Sequence, residues 1–450
     1  MSSGAGRRTL PFAAFILTLG ALAALSSACG DEDNRSGRGT SAPAGTAEPA
    51  ATGTSEPAAT GTPETETPGI TDRQIILGVD APLAGMSGAV YSMIPRATEA
   101  YFKYVNDRQG GVCGREIVYK FEDNKGSPEG GLEAVRKLVE RDKVFALVGS
   151  LGDDPHATVW DYLNENDVPD ILVSAGAHRF GADPKGHPWT VQMIPSYTTE
   201  GTFYGRYISE NLLGKTVGVL GANGPLYWDA LEGLKSGLDP AKNEIVSEQV
   251  FELTALSIRS EVTNLKQANP DVVVSFADPG FTSQAVKEAN RPGWHPQWVI
   301  SYTSSDDIMF QFVPPELLEG AVTFQAFNLA SMKDSPAVAR HWELMKEYGG
   351  PQPTNFSVYA QLLGELAVEV LSRTCDNLTR EGLMDAVESV RGWHSDLLLD
   401  GVNVSFSETD HTALQTGRML RAALEGNKGK WEYFGPLYEF EGLAELAEGE

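Results

Sequence analysis

The sequence predicts an α/β protein of two similar lobes, each a largely parallel sheet with crossover helices. Two observations carry this reading. From Ile70 onward, short apolar runs alternate with amphipathic stretches, the pattern that strands and crossover helices leave in a chain. The alternation runs through Val148 and restarts at Val217, which implies a second unit built like the first. Length and charge bound the rest. A chain of 450 residues that is 41% apolar has ample core for two or three domains. Its 61 Asp and Glu against 35 Lys and Arg leave a formal net charge of −26, which works against a nucleic-acid partner and against surface binding to anionic lipid.

The N-terminus reads as a processing signal. Arg7 and Arg8 form a positive n-region, and residues 10–25 are an apolar run of signal-peptide length, short for a membrane span. The run ends Leu25-Ser26-Ser27-Ala28-Cys29-Gly30 and resembles a bacterial lipobox, in which residues 1–28 are removed and Cys29 is diacylated. Ser26 stands where such boxes usually carry Leu, so ordinary secretion and an uncleaved anchor helix stay as alternatives. Residues 29–69 are expected to be a disordered tether. From Thr40 to Gly69 the chain contains only Thr, Ser, Ala, Pro, Gly and Glu, and Glu-Pro-Ala-Ala-Thr-Gly-Thr occurs at 48–54 and again at 56–62. Nothing there offsets the entropy of ordering. As a flexible coil it reaches about 35 Å.

Each element of the folded part has a local reason. Residues 74–79 form an expected first strand, and 92–106 have helical spacing that places Ala100, Tyr101, Tyr104 and Val105 on one face. Gly110-Gly111 stops that helix. A strand over 117–122, a helix over 131–141 and a strand over 144–148 come next, then a turn at 149–154. Pro155 suits the first helical position, with Asp154 as N-cap. The second series is a strand over 217–220, a helix over 227–237, a strand over 272–276, a helix over 282–290 and a strand over 298–300. A long helix is expected over 357–372.

Particular blocks then stand in a telling order. They are Gly69-Ile-Thr-Asp-Arg-Gln-Ile-Ile-Leu-Gly-Val, Ala81-Pro-Leu-Ala-Gly, Glu99-Ala-Tyr-Phe, Gly110-Gly-Val-Cys-Gly-Arg, Leu138-Val-Glu-Arg-Asp-Lys-Val-Phe-Ala-Leu-Val-Gly-Ser-Leu-Gly and Pro188-Trp-Thr, with Leu378-Thr-Arg-Glu-Gly-Leu-Met and Thr409-Asp-His further on. In these blocks, over residues 69–432, the chain resembles the branched-chain amino-acid type of ABC-transporter solute-binding protein. The resemblance implies a type I periplasmic-binding-protein fold, two doubly wound lobes joined by a three-crossover hinge and closing on a small molecule. Lobe 1 would be 70–195 with 328–398, and lobe 2 would be 196–327 with 399–432. Hinges would lie near Pro195-Ser196, 325–328 and 398–401, and 433–450 would be an acidic tail outside the pattern.

In open α/β sheets, ligands sit beyond the carboxyl ends of strands, and two such edges facing each other make a hinged clamp. The loops expected to form it are 81–91, 150–154, 174–178, 221–227, 277–280 and 301–305. Where the family places a Ser or Thr beside a helix N-terminus to receive a ligand carboxylate, this chain has Asp153. A carboxylate there repels an anionic ligand unless it points away or is protonated. Gly176-Ala177 is followed by His178 rather than a hydroxyl, and Tyr302 stands where the family uses an acid to hold the ammonium. Asp278 and Leu226-Tyr227 fall near positions that are commonly aromatic. The expected pocket is therefore aromatic and polar, drawn from Tyr91, Tyr227, Phe276 and Tyr302 around Asp153, Gly176, Ala177, His178 and Asp278. Plainer roles compete: Asp153 as a second helix-capping acid, His178 with Arg179 as a solvated loop, Phe276 as core.

Enzymatic motifs are missing. There is no G-x-x-x-x-G-K-[ST] and no H-E-x-x-H, and Gly85-Met-Ser-Gly-Ala lacks the closing Gly of a nucleophile elbow. Asp153-Asp154-x-His156 has donor types that suit a divalent metal, but a capped helix already accounts for Asp154, so no metal, cofactor or catalysis is expected. With Cys29 lipidated, Cys113 and Cys375 remain in an oxidising compartment, either bridged or as two buried thiols. The expected protein is a monomer in the cell envelope, lipid-anchored to the outer face of the cytoplasmic membrane or periplasmic, touching the membrane through its lipid alone. It captures an amino acid or related small organic compound and hands it to an ABC permease. A ligand-sensing receptor of the same fold, signalling to a membrane partner, is the alternative.

Overall fold

The strands of the first sheet are largely apolar on both faces at its centre, as a parallel sheet covered on both sides requires, and more polar at its edges. They are β1 (Gln74–Ala81), β2 (Glu116–Asp123), β3 (Ala146–Val148), β4 (Asp170–Val173) and β5 (Thr190–Gln192), and β3, β4 and β5 are buried throughout. All pair in parallel in the order β2-β1-β3-β4-β5. In this computed structural model the described residues are 67–440 apart from Pro292, together with Gly442. The signal segment, Cys29 and residues 30–66 of the tether lie outside them, as does most of 441–450. No helix among the described residues is long and apolar enough to cross a membrane.

Helices α1 (Gly85–Tyr91), α2 (Met93–Gln109), α3 (Pro128–Arg136), α4 (Asp153–Glu165) and α5 (Arg179–Ala182) connect these strands. Ser127 caps α3 by accepting the Gly130 N–H, with Pro128 in the first turn, so the helix starts before Gly131 and passes into a short π-helical turn over Lys137–Arg141. Asp154 is not an N-cap. Gly152 takes that place with φ at 111°, and both Asp153 and Asp154 belong to the first turn of α4.

The second sheet has the order β12-β11-β10-β9-β8-β6-β7. Its members β6 (Thr216–Ala222), β7 (Glu244–Phe251), β8 (Val272–Phe276), β9 (Gln297–Ile300) and β10 (Val322–Gln325) are parallel, while β11 (Thr416–Glu425) and β12 (Lys428–Glu439) add an antiparallel edge. Helices α6 (Tyr197–Asn211), α7 (Pro225–Gly237), α8 (Arg259–Ala268), α9 (Pro279–Asn290) and α10 (Met309–Phe312) belong to this half. The chain then returns to the first half with α11 (Pro336–Glu347), α12 (Asn355–Arg373) and α13 (Arg380–Glu388), and α12 buries Leu363, Leu366 and Ala367 in the same core as Ala97 and Ala100 of α2.

The crossover segments run side by side. Leu399 N–H donates to the Ala326 carbonyl, Asn328 N–H to that of Leu397, and Leu414 N–H to that of Met193. Two expected boundaries move as a result. Val402, Val404, Phe406, Ala413 and Leu414 are buried in the first core, so the third crossover lies between Leu414 and Thr416 rather than at 398–401. Nor does a tail begin at Tyr433: β12 runs to Glu439, and Phe440 is 2% exposed, packed on Phe203 and Phe324. Gly435-Pro436 breaks the aromatic and aliphatic run of this strand where its pairing with β11 shifts register, so the pair reads locally as a turn that ends a strand.

Cys113 and Cys375 form a disulfide with Cα atoms 5.1 Å apart, closing a loop of 262 residues between the end of α2 and the end of α12. A digest without reductant is expected to yield one cross-linked peptide containing both residues, and replacing the pair with Ser to lower stability by about 2–5 kcal/mol. Separately alkylated Cys113 and Cys375 peptides from unreduced protein would contradict the bridge.

Candidate functional site

The carboxyl ends of β1, β3 and β4 face those of β6, β8 and β9 across a cleft of about 1430 Å³, a volume that includes the solvent at its mouth. Its walls are mostly apolar: Ile94, Leu151, Ile194, Leu226, Leu253 and Leu414 contribute aliphatic surface. Tyr91, Tyr197, Tyr302, Tyr359, Phe281 and Phe356 contribute rings. The charged lining residues are Asp153, Asp154 and Asp278, and no Lys, Arg or His stands among the described residues that line it.

Asp153 sits at the start of α4, aimed by the Gly152 turn. One carboxylate oxygen accepts the Ala177 N–H at 3.0 Å, from the loop after β4, and the other accepts the Tyr197 hydroxyl at 2.9 Å, from the first residue of α6. This one side chain thereby joins the first lobe to the helix that opens the second. Burial pushes its pKa up to about 6, opposed by the Ala177 N–H and the Tyr197 hydroxyl and reinforced by the nearby charges of Asp154 and Asp229. A second link between the halves runs from the His178 N–H to the Asp229 carboxylate on α7, at 2.9 Å.

Tyr302 is fixed at both ends. Its N–H donates to Glu200 at 2.7 Å and its hydroxyl to the Pro195 carbonyl in the first crossover, also at 2.7 Å. Glu200 is wholly buried, which raises its pKa to about 8 against the bonds from Tyr302 N–H and Ser301. Tyr91 ends α1 with its ring 5.5 Å from that of Phe356, and its hydroxyl makes no hydrogen bond among the described residues. Burial and then the charges of Asp278, Asp153 and Asp306 hold that phenol well above its usual range, so it lies in the field of carboxylates from both lobes. Asp278 caps α9 by accepting the Phe281 N–H at 3.1 Å, and burial raises its pKa.

The structure therefore brings Tyr91, Asp153, Asp278 and Tyr302 together and places the other expected residues elsewhere. Gly176 packs beneath Tyr197, whose ring a Cβ would meet at 2.3 Å, and Ala177 is buried, serving the site through its N–H. His178 lies beside the first crossover, its ring Nδ1 3.3 Å from Ser196 Oγ. Tyr227 and Phe276 are fully buried in the second core and do not line the cleft. Because α7 begins at Pro225, Leu226 turns to the cleft and Tyr227 turns inward onto Gly221. Phe276 is the last residue of β8 and packs near Tyr204, so the chain emerges into the cleft only at Asp278. Sequence reasoning misses Tyr197, Phe356 and Tyr359, which come from a crossover and from the N-terminal turns of α12. Their local signals are the caps beside them, Ser196 accepting the Thr199 N–H and the Thr354–Ser357 capping box.

The raised pKa of Asp153 has a definite sign. The folded state holds the proton more tightly than the unfolded chain, so this group favours folding below about pH 4 and opposes it progressively as pH rises through about 6. Asp153→Asn keeps an acceptor for the Ala177 N–H and removes the charge. It is expected to raise stability by about 1–3 kcal/mol at pH 7.5, with the two proteins converging near pH 4. Urea denaturation at both pH values measures this, and a variant less stable at pH 7.5 would contradict it.

Known proteins share this outline. The profile of the family described as periplasmic binding protein matches residues 74–430. The chain is 27% identical over 223 residues to Leu/Ile/Val-binding protein homolog 3 of Brucella melitensis, an alignment that covers 48% of this chain and 58% of that relative, so the chain spans little more than half of it. Among solved structures, a branched chain amino acid ABC transporter protein from Thermus thermophilus with bound valine superposes with a TM-score of 0.74 at 18% identity, covering 84% of this chain and 100% of that one. A fatty acid ABC transporter substrate-binding protein from Thermomonospora curvata gives 0.70 at 22% identity, covering 85% and 96%. The fold is that of the type I periplasmic binding proteins, and the family and these structural relatives are solute-binding proteins rather than enzymes. With the family profile running through both sheets and the cleft between them, the chain belongs to the periplasmic binding protein family.

Proposed function

We propose that the chain is the solute-binding component of an ABC importer, held outside the cytoplasmic membrane by lipid on Cys29, and that its ligand has an apolar body and no free α-carboxylate. The observation that carries the reading is the lining of the cleft: aliphatic and aromatic walls, three carboxylates and no basic side chain among the described residues. An α-amino acid brings a carboxylate that needs donors. Here the Ala177 N–H and the Tyr197 hydroxyl, at the mouth of α4, already serve Asp153. A second anion at that place would meet a like charge at short range in a partly dry site.

Capture works through the crossovers. A ligand that touches Tyr91 and Asp153 from one lobe and Asp278 and Tyr302 from the other binds the closed arrangement better than the open one, and that difference is what shifts the hinge. The contacts between Tyr197 and Asp153 and between His178 and Asp229 set the angle at which the lobes meet. The closed form would then be presented to a permease, which takes the solute inward.

Thermal unfolding with leucine, isoleucine or valine at millimolar concentration is expected to leave the wild-type midpoint unchanged. In Asp153→Ser, which restores a hydroxyl at the start of α4 and frees the Ala177 N–H, leucine is expected to stabilise. A strong response of the wild type to leucine would overturn this reading of the ligand.

A further inference from the structure

We infer that the cleft selects organic cations, molecules with an aromatic-sized apolar body that carry an amine or ammonium group. This rests on the solute-capture reading above and adds the charge of the ligand to it.

The acids come from both sides. Asp153 and Asp154 belong to the first turn of α4 in one lobe, and Asp278 caps α9 in the other. The Asp154 carboxylate makes no hydrogen bond or ion pair among the described residues, yet it faces the cleft. Where acids are paired, as in Lys120 with Asp142 and Arg340 with Asp396, a base stands within reach, and the described lining of the cleft offers none. The Tyr91 hydroxyl, also without a hydrogen bond among the described residues, lies where the fields of Asp153 and Asp278 overlap and can accept from an ammonium.

The rings complete the recognition. Tyr91 and Phe356 meet at 5.5 Å, and Tyr197 and Tyr302 stack at 6.2 Å, giving apolar faces beside the carboxylates. Aromatic faces next to anions are the surroundings in which an organic cation is held by ring quadrupoles and full charges together. The same charges make the selection act on closure. Bringing the lobes together without a ligand drives Asp153 and Asp154 toward Asp278, whereas a cation between them turns that repulsion into attraction, so it favours the closed form over the open one.

Three probes of matched size test this by calorimetric titration of the mature protein at pH 7.5 and low salt: 2-phenylethylamine, 2-phenylethanol and 3-phenylpropionate. The amine is expected to bind at least about tenfold more tightly than the alcohol, and the acid most weakly. Asp278→Asn and Asp154→Asn are each expected to weaken the amine about tenfold and so to narrow its advantage over the alcohol, with far-ultraviolet circular dichroism like that of the wild type showing that the variants fold. Tighter binding of the alcohol or the acid than of the amine would overturn the cation selection, as would no binding of the amine at millimolar concentration. Solute capture would survive the first of these results, since binding of the alcohol or the acid is itself capture, whereas a strong leucine response of the wild type would overturn the ligand reading on which this inference rests.

Discussion

One carboxylate sets the geometry of this cleft. Asp153 receives an N–H from the loop after β4 and a hydroxyl from the start of α6, so the first lobe, the first crossover and the helix that opens the second lobe meet on its two oxygens. The side chain stands at a helix N-terminus, where backbone amides favour negative charge, and it supplies that charge from the protein itself. The site thus carries its own built-in anion. Tyr197 is held by it, Tyr302 stacks on Tyr197, and the hydroxyl of Tyr302 returns to the crossover at Pro195. Gly176 is required beneath this arrangement because no Cβ fits under the Tyr197 ring.

The acid excess of the chain has two distinct parts. Among the described residues many acids stand on the surface, some of them in exposed pairs that contribute little to stability. A smaller part is buried near the cleft. Glu200 anchors the Tyr302 backbone, and Asp306 accepts N–H groups from Ile308 and from Phe356 at the start of α12, tying the second lobe to the first. Burial raises the pKa of each. These acids are structural, whereas Asp154 and Asp278 face the cavity, and position relative to the lobes separates the two roles better than any local pattern does.

Much of the fold is legible in the sequence because it depends on local chemistry. The strand at 74–79, the helix stopped by Gly110-Gly111, and the second βα series from Val217 all come from apolar periodicity and turn residues, and the order of the family-like blocks points to two lobes. Four of the expected cleft residues, Tyr91, Asp153, Asp278 and Tyr302, are within reach because loops after strand ends are where such sites lie. Tyr227 and Phe276 fall outside the cleft for a matter of phase: starting α7 at Pro225 turns Tyr227 inward, and ending β8 at Phe276 keeps that ring in the core. The ring contributions of Tyr197 and Phe356 depend on segments brought together from distant parts of the chain, and no window of sequence contains that information. The same holds for residues 402–414, which pair with the first lobe through contacts such as Gln192 with Thr412.

On the proposed reading, ligand choice at this cleft turns on a negative field centred on Asp153, shared with Asp154 and Asp229 and bordered by the phenols of Tyr197, Tyr91 and Tyr302. Near pH 6 this carboxyl is about half protonated, so a bound cation must expel its proton while a bound carboxylate must draw one in. Titrating 2-phenylethylamine at pH 6 in two buffers of different ionisation enthalpy counts those protons directly. Release of up to about half a proton per molecule bound is expected, falling toward zero at pH 8 and lost in Asp153→Asn. Uptake of protons at pH 6, or none exchanged, would contradict a built-in anion that selects cations.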